Sequence, residues 1–363
     1  MALRHPYVRD MFDREEEGLL PSLLAGTARL YGGVVSLRNR LCDNGIITRR
    51  KLPRPVVSVG NITVGGTGKT PMVILLSRML KEQGMRPAVL SRGYAGRRTK
   101  GVSFVSNGRD ILLGPEEAGD EPVLIARSCP GVPVIIGKDR YRAGLAAHER
   151  FHPDVFILDD AFQHRRLFRH VDLVLIDRER PVGNGYLLPR GPLRESPKGL
   201  SRATLIVETA SAAHRVPAFA PDRIRWTGGW FPPVITAYRR PTGVVHARTG
   251  MVQGTDCLDG KRVLVFTGIA RPEHFFATVE SLGATLVARE SFPDHYAFGE
   301  QDMRHIRGKA ASASADMIVT TEKDGVKLVD FQESFHDMYF LRIAMEIVPD
   351  EQILSETIRE RIL

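Results

Sequence analysis

The chain has 363 residues, of which 43% are hydrophobic and 26% are charged; this composition is typical of a globular protein and excludes wholesale disorder. Its formal net charge of +9 favours acidic substrates, nucleic acid or an anionic membrane surface as partners. Three isolated cysteines without a C-x-x-C pair argue against structural zinc and for a reducing compartment. We expect neither a signal peptide nor a membrane-spanning segment, and the length suggests two α/β domains.

The first predicted element is a helix between Glu15 and Leu41, where leucines and valines recur at helical spacing. Arginines interleave with the apolar residues, and a basic run follows at residues 49–54. Such a helix can lie in the interface of an anionic membrane. It can equally dock on the domain core with a solvated basic edge. The periodicity alone leaves both interpretations open.

The next stretch predicts a phosphate-binding loop. An apolar run, Val56–Val59, leads into glycines that allow successive backbone N–H groups to turn toward an anion. Lys69 can then neutralise the outer phosphates, and Thr70 can hold Mg²⁺ at the start of a helix that continues to Lys81. Thr63 occupies the position of the first glycine of G-x-x-x-x-G-K-[ST], so an ordinary glycine-rich turn is the alternative. The residues predicted to bind nucleotide are Thr63, Val64, Gly65, Gly66, Thr67, Gly68, Lys69 and Thr70.

Two polar segments follow. A predicted strand, Ala88–Ser91, runs into a basic loop beginning at Arg92, which either faces a phosphate at the sheet edge or is simply solvated. Further on, Asp120 and Glu121 precede a predicted helix, Val123–Ser128. These two acids either cap the helix or serve as metal ligand and proton acceptor.

After the phosphate-binding loop, the strongest indication of a nucleotide site is the predicted strand Val155–Leu158, which ends in Asp159–Asp160. Apolar residues closing on an acid have the form of a Walker B strand, whose carboxylate lies beside the Mg²⁺ held by the loop. The polar stretch that follows contains Gln163 and His164; the histidine is either a surface residue or part of the site. A further strand, Asp172–Asp177, leads into a long loop through residue 195, which we expect to be functional because of its hydrophobic content.

The pattern changes after a last strand at Thr204–Glu208. We place a domain boundary between Ala210 and Arg225, and the alternating strands and helices beyond it predict a second, smaller parallel sheet. The predicted organisation is an N-terminal helical region (1–55), a P-loop nucleotide-binding α/β domain with a mostly parallel sheet (56–225), and a smaller α/β domain across a cleft (226–363). The predicted elements of the last are extended segments over 230–246, strands at 262–266, 285–288 and 317–320, and helices at 272–282 and 300–311.

These parts suit phosphoryl transfer to an alcohol, which needs a phosphate cradle, a metal held by hydroxyl and carboxylate, and a base near the attacking oxygen. Lys69 and Thr70 serve the first two needs, and Asp159 or Asp160 completes the metal site. Asp120 is the candidate base and His295 the candidate residue that orients it, although spacing along the chain cannot establish that pair.

The chain resembles the tetraacyldisaccharide 4′-kinases, the lipid A 4′-kinases of bacteria with an outer membrane. The resemblance is carried by seven blocks in family order, namely residues 59–71, 91–94, 119–122, 158–164, 188–195, 292–296 and 321–324. The absent first glycine of the loop is also typical of that family.

The resemblance implies a kinase that uses ATP and Mg²⁺ to phosphorylate the 4′-hydroxyl of a lipid-linked disaccharide at the cytoplasmic face of the inner membrane. It implies a peripheral membrane location, favours interfacial insertion of Leu19–Leu41, and suggests neither a nucleic-acid partner nor an obligate protein partner. Carried across by position, the catalytic residues are Asp120, His295 and Lys69, and the metal site comprises Thr70, Glu121, Asp159 and Asp160. The substrate side comprises Arg92, Gln163, His164, Arg194 and Glu195.

Three other classes of protein share part of this pattern. A membrane-associated ATPase switch has a loop of the form K-G-G-x-G-K-T, and Val64 stands where its signature lysine belongs. A nucleic-acid-binding NTPase would fit the charge, but the sequence shows no reader motif or aromatic platform. A soluble small-molecule kinase shares every catalytic part and differs only in its acceptor and its need for the N-terminal helix.

Overall fold

The computed structural model describes residues 19–94, 96–97, 101–211, 231–334 and 336–362, with the backbone alone at 19–21 and 332–334. Its helices are α1 (Leu19–Asp43), α2 (Lys69–Glu82), α3 (Pro115–Ala118), α4 (Asp120–Ser128), α5 (Arg140–Phe151), α6 (Pro272–Ser281), α7 (Glu300–Ser312), α8 (Glu322–Gly325) and α9 (Glu351–Ile362). Its strands are β1 (Val56–Asn61), β2 (Pro87–Ser91), β3 (Val102–Ser106), β4 (Val134–Gly137), β5 (Val155–Leu158), β6 (Val171–Asp177), β7 (Leu205–Ser211), β8 (Val234–His246), β9 (Val252–Gln253), β10 (Arg262–Thr267), β11 (Thr285–Ser291), β12 (Met317–Thr321) and β13 (Met338–Val348).

In the described part of the chain, all the strands belong to one 13-stranded sheet. Its order is β11-β10-β12-β13-β8-β7-β6-β1-β5-β2-β4-β3, with β9 paired to β8. Most neighbours run parallel, whereas β3–β4, β8–β9 and β8–β13 are antiparallel. The sheet is therefore of the mixed, mostly parallel α/β type that the sequence predicts.

The central strands are apolar along their whole length because helices cover both faces. Alternate residues of β1 point to opposite sides: Val57 and Val59 pack with α2, while Val56 packs with α5. All six residues of β1 are buried, as are all seven of β6. In the second half of the sheet, α6 and α7 cover opposite faces.

The prediction of a second, separate parallel sheet is wrong. The later strands join the first ones through β8, which pairs parallel with β7 on one side and antiparallel with β13 on the other. The extended pair predicted over 230–246 is one long strand from Val234, and residue 230 lies outside the described residues. Sequence periodicity also missed β3, α5, β13 and α9. The chain segment predicted to contain a domain boundary lies largely outside the described residues, at 212–230.

Helix α1 has two apolar faces with different surroundings. Ala28, Val35 and Cys42 recur every seventh residue and are buried against the body of the protein. Leu23, Leu30, Val34 and Leu37 form the opposite stripe, and each is at least 59% exposed. None of the helices in the described part of the chain combines the length and apolar character needed to cross a membrane. The predicted start of the helix at residues 15–18 lies outside the described residues.

Candidate active site

The phosphate-binding loop joins β1 to α2, as the sequence predicts. Gly65 and Gly68 have φ angles of 115° and 87°, in the left-handed region that glycine tolerates best. The first part of the loop pairs with a distant segment: the N–H of Val64 donates to the carbonyl of Pro192 over 2.8 Å, and the N–H of Arg194 donates to the carbonyl of Ile62 over 2.7 Å. The long loop after β6 therefore forms one wall of the site.

Side chains from β1, β7 and β8 hold the loop from the protein side. Asn61 Nδ2 donates to Thr67 Oγ1 over 3.0 Å, and Thr209 Oγ1 donates to the Thr67 carbonyl over 3.0 Å. The Arg239 guanidinium donates to the Gly66 carbonyl over 3.1 Å. Because Thr209 and Arg239 hold loop carbonyls on the protein side, they favour a conformation whose N–H groups face outward.

Lys69 and Thr70 form the first turn of α2, where the helix presents its positive end to an anion. Lys69 Nζ lies 3.8 Å from Asp160 Oδ1. The strands β1 and β5 are parallel neighbours, so their carboxyl ends bring the loop lysine and the acid pair to one edge of the sheet. The structure thus unites Lys69, Thr70, Asp159 and Asp160, as the sequence predicts.

The two adjacent aspartates have different environments. Asp160 has a φ of 48°, and Arg194 Nη1 contacts both of its carboxylate oxygens at 2.7 and 2.9 Å. Burial raises the pKa of Asp160, but Lys69 and Arg194 outweigh that effect and hold it at about 2. Asp159 accepts a 2.9 Å hydrogen bond from Ser91 Oγ, whereas its other oxygen, Oδ1, is buried and has no hydrogen-bond partner among the described residues. Burial, with the charges of Glu121 and Asp160, raises the pKa of Asp159 to about 7.

The second acid pair lies at the start of α4, which follows the left-handed Gly119. The Asp120 carboxylate meets Nδ1 of His295 at 2.9 and 3.0 Å, although 175 residues separate the two. An ionised carboxylate only accepts, so Nδ1 carries the hydrogen. Burial raises the pKa of Asp120, but His295 and Lys323 outweigh it and hold it at about 2. The tertiary structure thus forms the Asp120–His295 contact that spacing could not establish.

The remaining predicted residues lie around these acids. Gln163 donates to the Asn61 carbonyl over 2.8 Å and to Glu195 over 3.0 Å, while Arg92 is exposed. His164 lines a cavity of about 610 Å³ with Ile47, Thr48, Arg50, Lys138, Asp139, Tyr141 and Arg166. Burial and nearby arginines lower the pKa of His164 to about 4.

Glu195 is the exception among the predicted substrate-side residues. It is completely buried, and its carboxylate accepts from Asn39, Gln163 and Arg202 at 2.7–3.1 Å. Direct contact of Glu195 with a substrate is therefore a prediction that the structure does not support. Glu195 follows Arg194 in the chain and links the long loop to α1 through its hydrogen bond from Asn39. Tyr31 of the same helix donates to the Arg194 carbonyl over 2.8 Å.

The side-chain oxygen atoms near the phosphate loop suit a magnesium ion as ligands. The unpartnered Oδ1 of Asp159, the second aspartate and the Thr70 hydroxyl are hard oxygen ligands, which Mg²⁺ prefers. Among the described residues there is no ready group of three or more His, Cys, Asp or Glu side chains that would hold a metal by itself. This is in keeping with magnesium sites that use one or two carboxylates together with phosphate oxygens and water.

Sequence reasoning missed three residues of the site. Ser91 donates to Asp159, and Lys323 lies among the carboxylates beside Asp120. Arg140, almost fully buried at the start of α5, carries a pKa lowered by burial to about 10 and is electrostatically coupled to Asp159. Ser91 and Lys323 belong to the blocks 91–94 and 321–324 that carry the family resemblance, which was the available signal; Arg140 had none because α5 was not predicted.

Comparison with known proteins gives a consistent result. A family model described as "Tetraacyldisaccharide-1-P 4'-kinase" matches residues 20–363. A tetraacyldisaccharide 4′-kinase from Syntrophus aciditrophicus is 45% identical over 345 residues, 93% of this chain and 92% of its own length. Another from Geobacter sulfurreducens is 46% identical over 310 residues, 85% of each chain. A crystal structure of an "apo" form of LpxK from Aquifex aeolicus in complex with ATP matches with a TM-score of 0.75 at 31% identity, covering 95% of this chain and 100% of that one.

Proposed function

The chain belongs to the tetraacyldisaccharide-1-phosphate 4′-kinase family, and from this premise we propose how its residues perform the reaction. It is an ATP-dependent phosphotransferase of lipid A biosynthesis, which transfers the γ-phosphate to the 4′-hydroxyl of the disaccharide. The observation that carries the proposal is the largely buried Asp120–His295 pair, whose neighbour Glu121 lies close enough to the Asp159–Asp160 pair to raise the pKa of Asp159.

We propose that Asp120 accepts the proton of the 4′-hydroxyl while the hydroxyl oxygen attacks the γ-phosphorus. The bond between the γ-phosphorus and the β–γ bridging oxygen breaks, and ADP leaves with that oxygen. His295 donates from Nδ1 and orients the carboxylate. A carboxylate with a pKa near 2 is a weak base. Phosphoryl transfer nevertheless tolerates one, because its loose transition state depends more on position and charge than on early proton removal.

On the nucleotide side, Lys69 and the first turn of α2 would stabilise the charge that develops on the phosphates. Thr70, Asp159, Asp160 and Glu121 would hold Mg²⁺, which supplies charge neutralisation when it is bound. Arg194 keeps Asp160 in position. Residues 56–225 would thus supply the nucleotide site, and residues 226–363 would supply His295 from across the cleft.

The acceptor side would be formed by Arg92, Gln163, His164 and Arg194. The cavity beside His164 supports this assignment because Arg50, Lys138 and Arg166 line it with positive charge, which suits an acceptor that already bears a phosphate.

Residues 1–55 would carry the membrane contact. The exposed stripe of α1, from Leu23 to Leu37, and the exposed Ile46 just after it give an apolar surface. The basic run at 49–54 follows directly. An apolar face flanked by cations is the pattern of a helix that lies in an anionic interface. We propose peripheral binding at the cytoplasmic face of the inner membrane, where a lipid-linked acceptor would be met.

The deciding assay follows phosphate from γ-labelled ATP to a purified tetraacyldisaccharide 1-phosphate and, in parallel, to soluble amino sugars. Transfer to the lipid acceptor alone is expected. Preferential labelling of a soluble sugar would instead support the small-molecule kinase.

A second experiment tests the membrane contact. Serine at all four stripe positions, Leu23, Leu30, Val34 and Leu37, should weaken binding to anionic vesicles at least about tenfold, because each buried side chain contributes about 1.5–3 kcal/mol. A matched control variant, Tyr31→Phe, changes the docked side of the same helix and should leave vesicle binding unaltered. Unchanged binding of the serine variant would restore the purely docked interpretation.

A further inference from the structure

Lys323, on the short helix α8, has no role in the reaction proposed above, yet its ammonium group lies at the centre of a cluster of three carboxylates. Its ammonium nitrogen is 3.1 Å from Glu121 Oε1, 3.6 Å from Asp294 Oδ1 and 3.9 Å from Asp120 Oδ2. Its side chain is 21% exposed. One lysine therefore contacts two acids from the start of α4 and one from the loop that carries His295.

The cluster would be strongly repulsive without this lysine. His295 approaches Asp120 through Nδ1 at 2.9 Å and Asp294 through Nε2 at 3.7 Å, so the three carboxylates surround one imidazole and one ammonium group. Like charges a few ångströms apart in a half-buried site repel much more than they do in water. Loss of the ammonium group would drive the start of α4 and the His295 loop apart.

The position of Lys323 is itself well defined. The neighbouring Asp324 is fully buried and accepts from Thr267 Oγ1, Thr321 Oγ1 and the N–H of Gly268 at 2.7–3.0 Å. The Gly268 carbonyl in turn accepts from the N–H of His295 over 3.1 Å. The hydrogen bonds of Asp324 and Gly268 therefore fix the backbone that carries both Lys323 and His295.

We propose that Lys323 is a positioning residue that ties the start of α4 to the His295 loop and so keeps Asp120 in its reactive orientation. This inference rests on the proposed role of Asp120 as the base. Lys323 contacts none of the residues assigned to the phosphate loop among the ion pairs of the described chain. Its nearest contact, Glu121, belongs to the proposed magnesium site, so the effect is expected mainly on turnover and only slightly on the affinity for ATP.

The test compares Lys323→Met with Lys323→Arg in the full-length enzyme, measuring kcat, the KM for each substrate and ATP affinity by calorimetry. Methionine should lower kcat about 100-fold, as expected for a reacting group displaced by about an ångström, with the KM for ATP changed less than about threefold. Arginine, which keeps the charge, should recover most of the lost turnover. The control Arg342→Met removes a different ion pair of α8, to Glu322 at 2.8 Å, and should keep kcat within about twofold.

A double variant separates charge balance from general disruption. If Lys323 acts by neutralising the cluster, Asp294→Asn should raise the turnover of the Lys323→Met enzyme about fivefold, because it removes one of the repelling charges. A merely structural lysine would show no such rescue.

Full turnover of Lys323→Met, or a loss that appears only in ATP affinity, would overturn the inference. So would equal losses in the methionine and arginine variants without rescue by Asp294→Asn. Asp120→Ala distinguishes the two levels of the proposal: if it remains active, the base assignment fails, whereas an inactive Asp120→Ala beside a fully active Lys323→Met removes only the role of Lys323.

Discussion

The two acid pairs of the site, Asp159–Asp160 and Asp120–Glu121, look alike in the sequence but are built differently. In each pair one carboxylate has a pKa held near 2 by neighbouring side chains, Asp160 by Lys69 and Arg194, and Asp120 by the hydrogen bond from His295 and the charge of Lys323. The side chains beside Asp160 belong to the nucleotide-binding half of the chain. Those beside Asp120 come from 175 and more residues away.

The difference separates two kinds of site. The Asp159–Asp160 pair depends on parallel strands that are neighbours in the sheet, so its assembly follows directly from the β1 and β5 register. The Asp120 pair depends on the later half of the sheet being joined through β8 and β13. We expect the second pair to be the more sensitive to any change in how the two halves meet.

The largest expected effect concerns the base. Asp120→Ala should lower kcat about 1000-fold, within the range for loss of a positioned general base, and should leave ATP affinity nearly unchanged. Calorimetric titration with ATP and steady-state kinetics measure the two quantities. Glu116→Gln, which alters an exposed acid in the preceding helix, is the control. A defect confined to ATP affinity would make Asp120 a structural or metal-binding residue, and the two acid pairs would then share one role.

The next effect concerns the phosphate loop. Lys69→Ala should cost about 3 kcal/mol of transition-state stabilisation, or about 100-fold in kcat/KM. Lys81→Ala, at the other end of the same helix, should behave as wild type because its ammonium group donates to the Pro130 carbonyl, away from the phosphate loop. Near-normal kinetics of Lys69→Ala would remove the loop from the mechanism.

A smaller effect concerns the metal. Asp159→Asn should raise the Mg²⁺ concentration needed for half-maximal activity about tenfold, because a neutral amide replaces a ligand. Asp154→Asn, at the opposite end of β5, changes an acid paired with Arg86 and should not alter the magnesium dependence. If Asp160→Asn shifts the magnesium curve while Asp159→Asn does not, Asp160 is the direct ligand.

The smallest effect concerns packing beneath the Asp159–Asp160 pair. A Cβ at Gly60 of β1 would lie 2.6 Å from Phe162 Cβ and 2.7 Å from its backbone nitrogen. Gly60→Ala should therefore lower the free energy of unfolding by about 2 kcal/mol. Gly33→Ala, in an open position of α1, should raise it by about 0.5–1 kcal/mol. Denaturant titration compares the two, and a tolerated Gly60→Ala would show that the loop after Asp160 adjusts freely.

Much of the fold could be predicted where a long apolar run or a clear helical period marked the element. The strands β1, β5 and β10 and the helices α2 and α7 were found within a few residues because an apolar run or a helical period marked them. The edge strand β3 is only partly buried, and α5 is rich in charged residues, so their patterns were weak. Helix α1 shows another limit. Its helical period left open whether the apolar residues dock on the protein core or face a membrane, whereas the structure shows one apolar face buried and the opposite apolar face exposed.

The predicted phosphate loop, the acids at the strand ends and the family to which they point could all be recognised in the amino-acid sequence, because each depends on residues close together in the chain. Tertiary structure alone decided that His295 and Lys323 meet Asp120, that Glu195 is buried, and that the strands form one sheet. Those contacts arise from long-range strand pairing and burial, which leave no periodic mark on the residues they bring together.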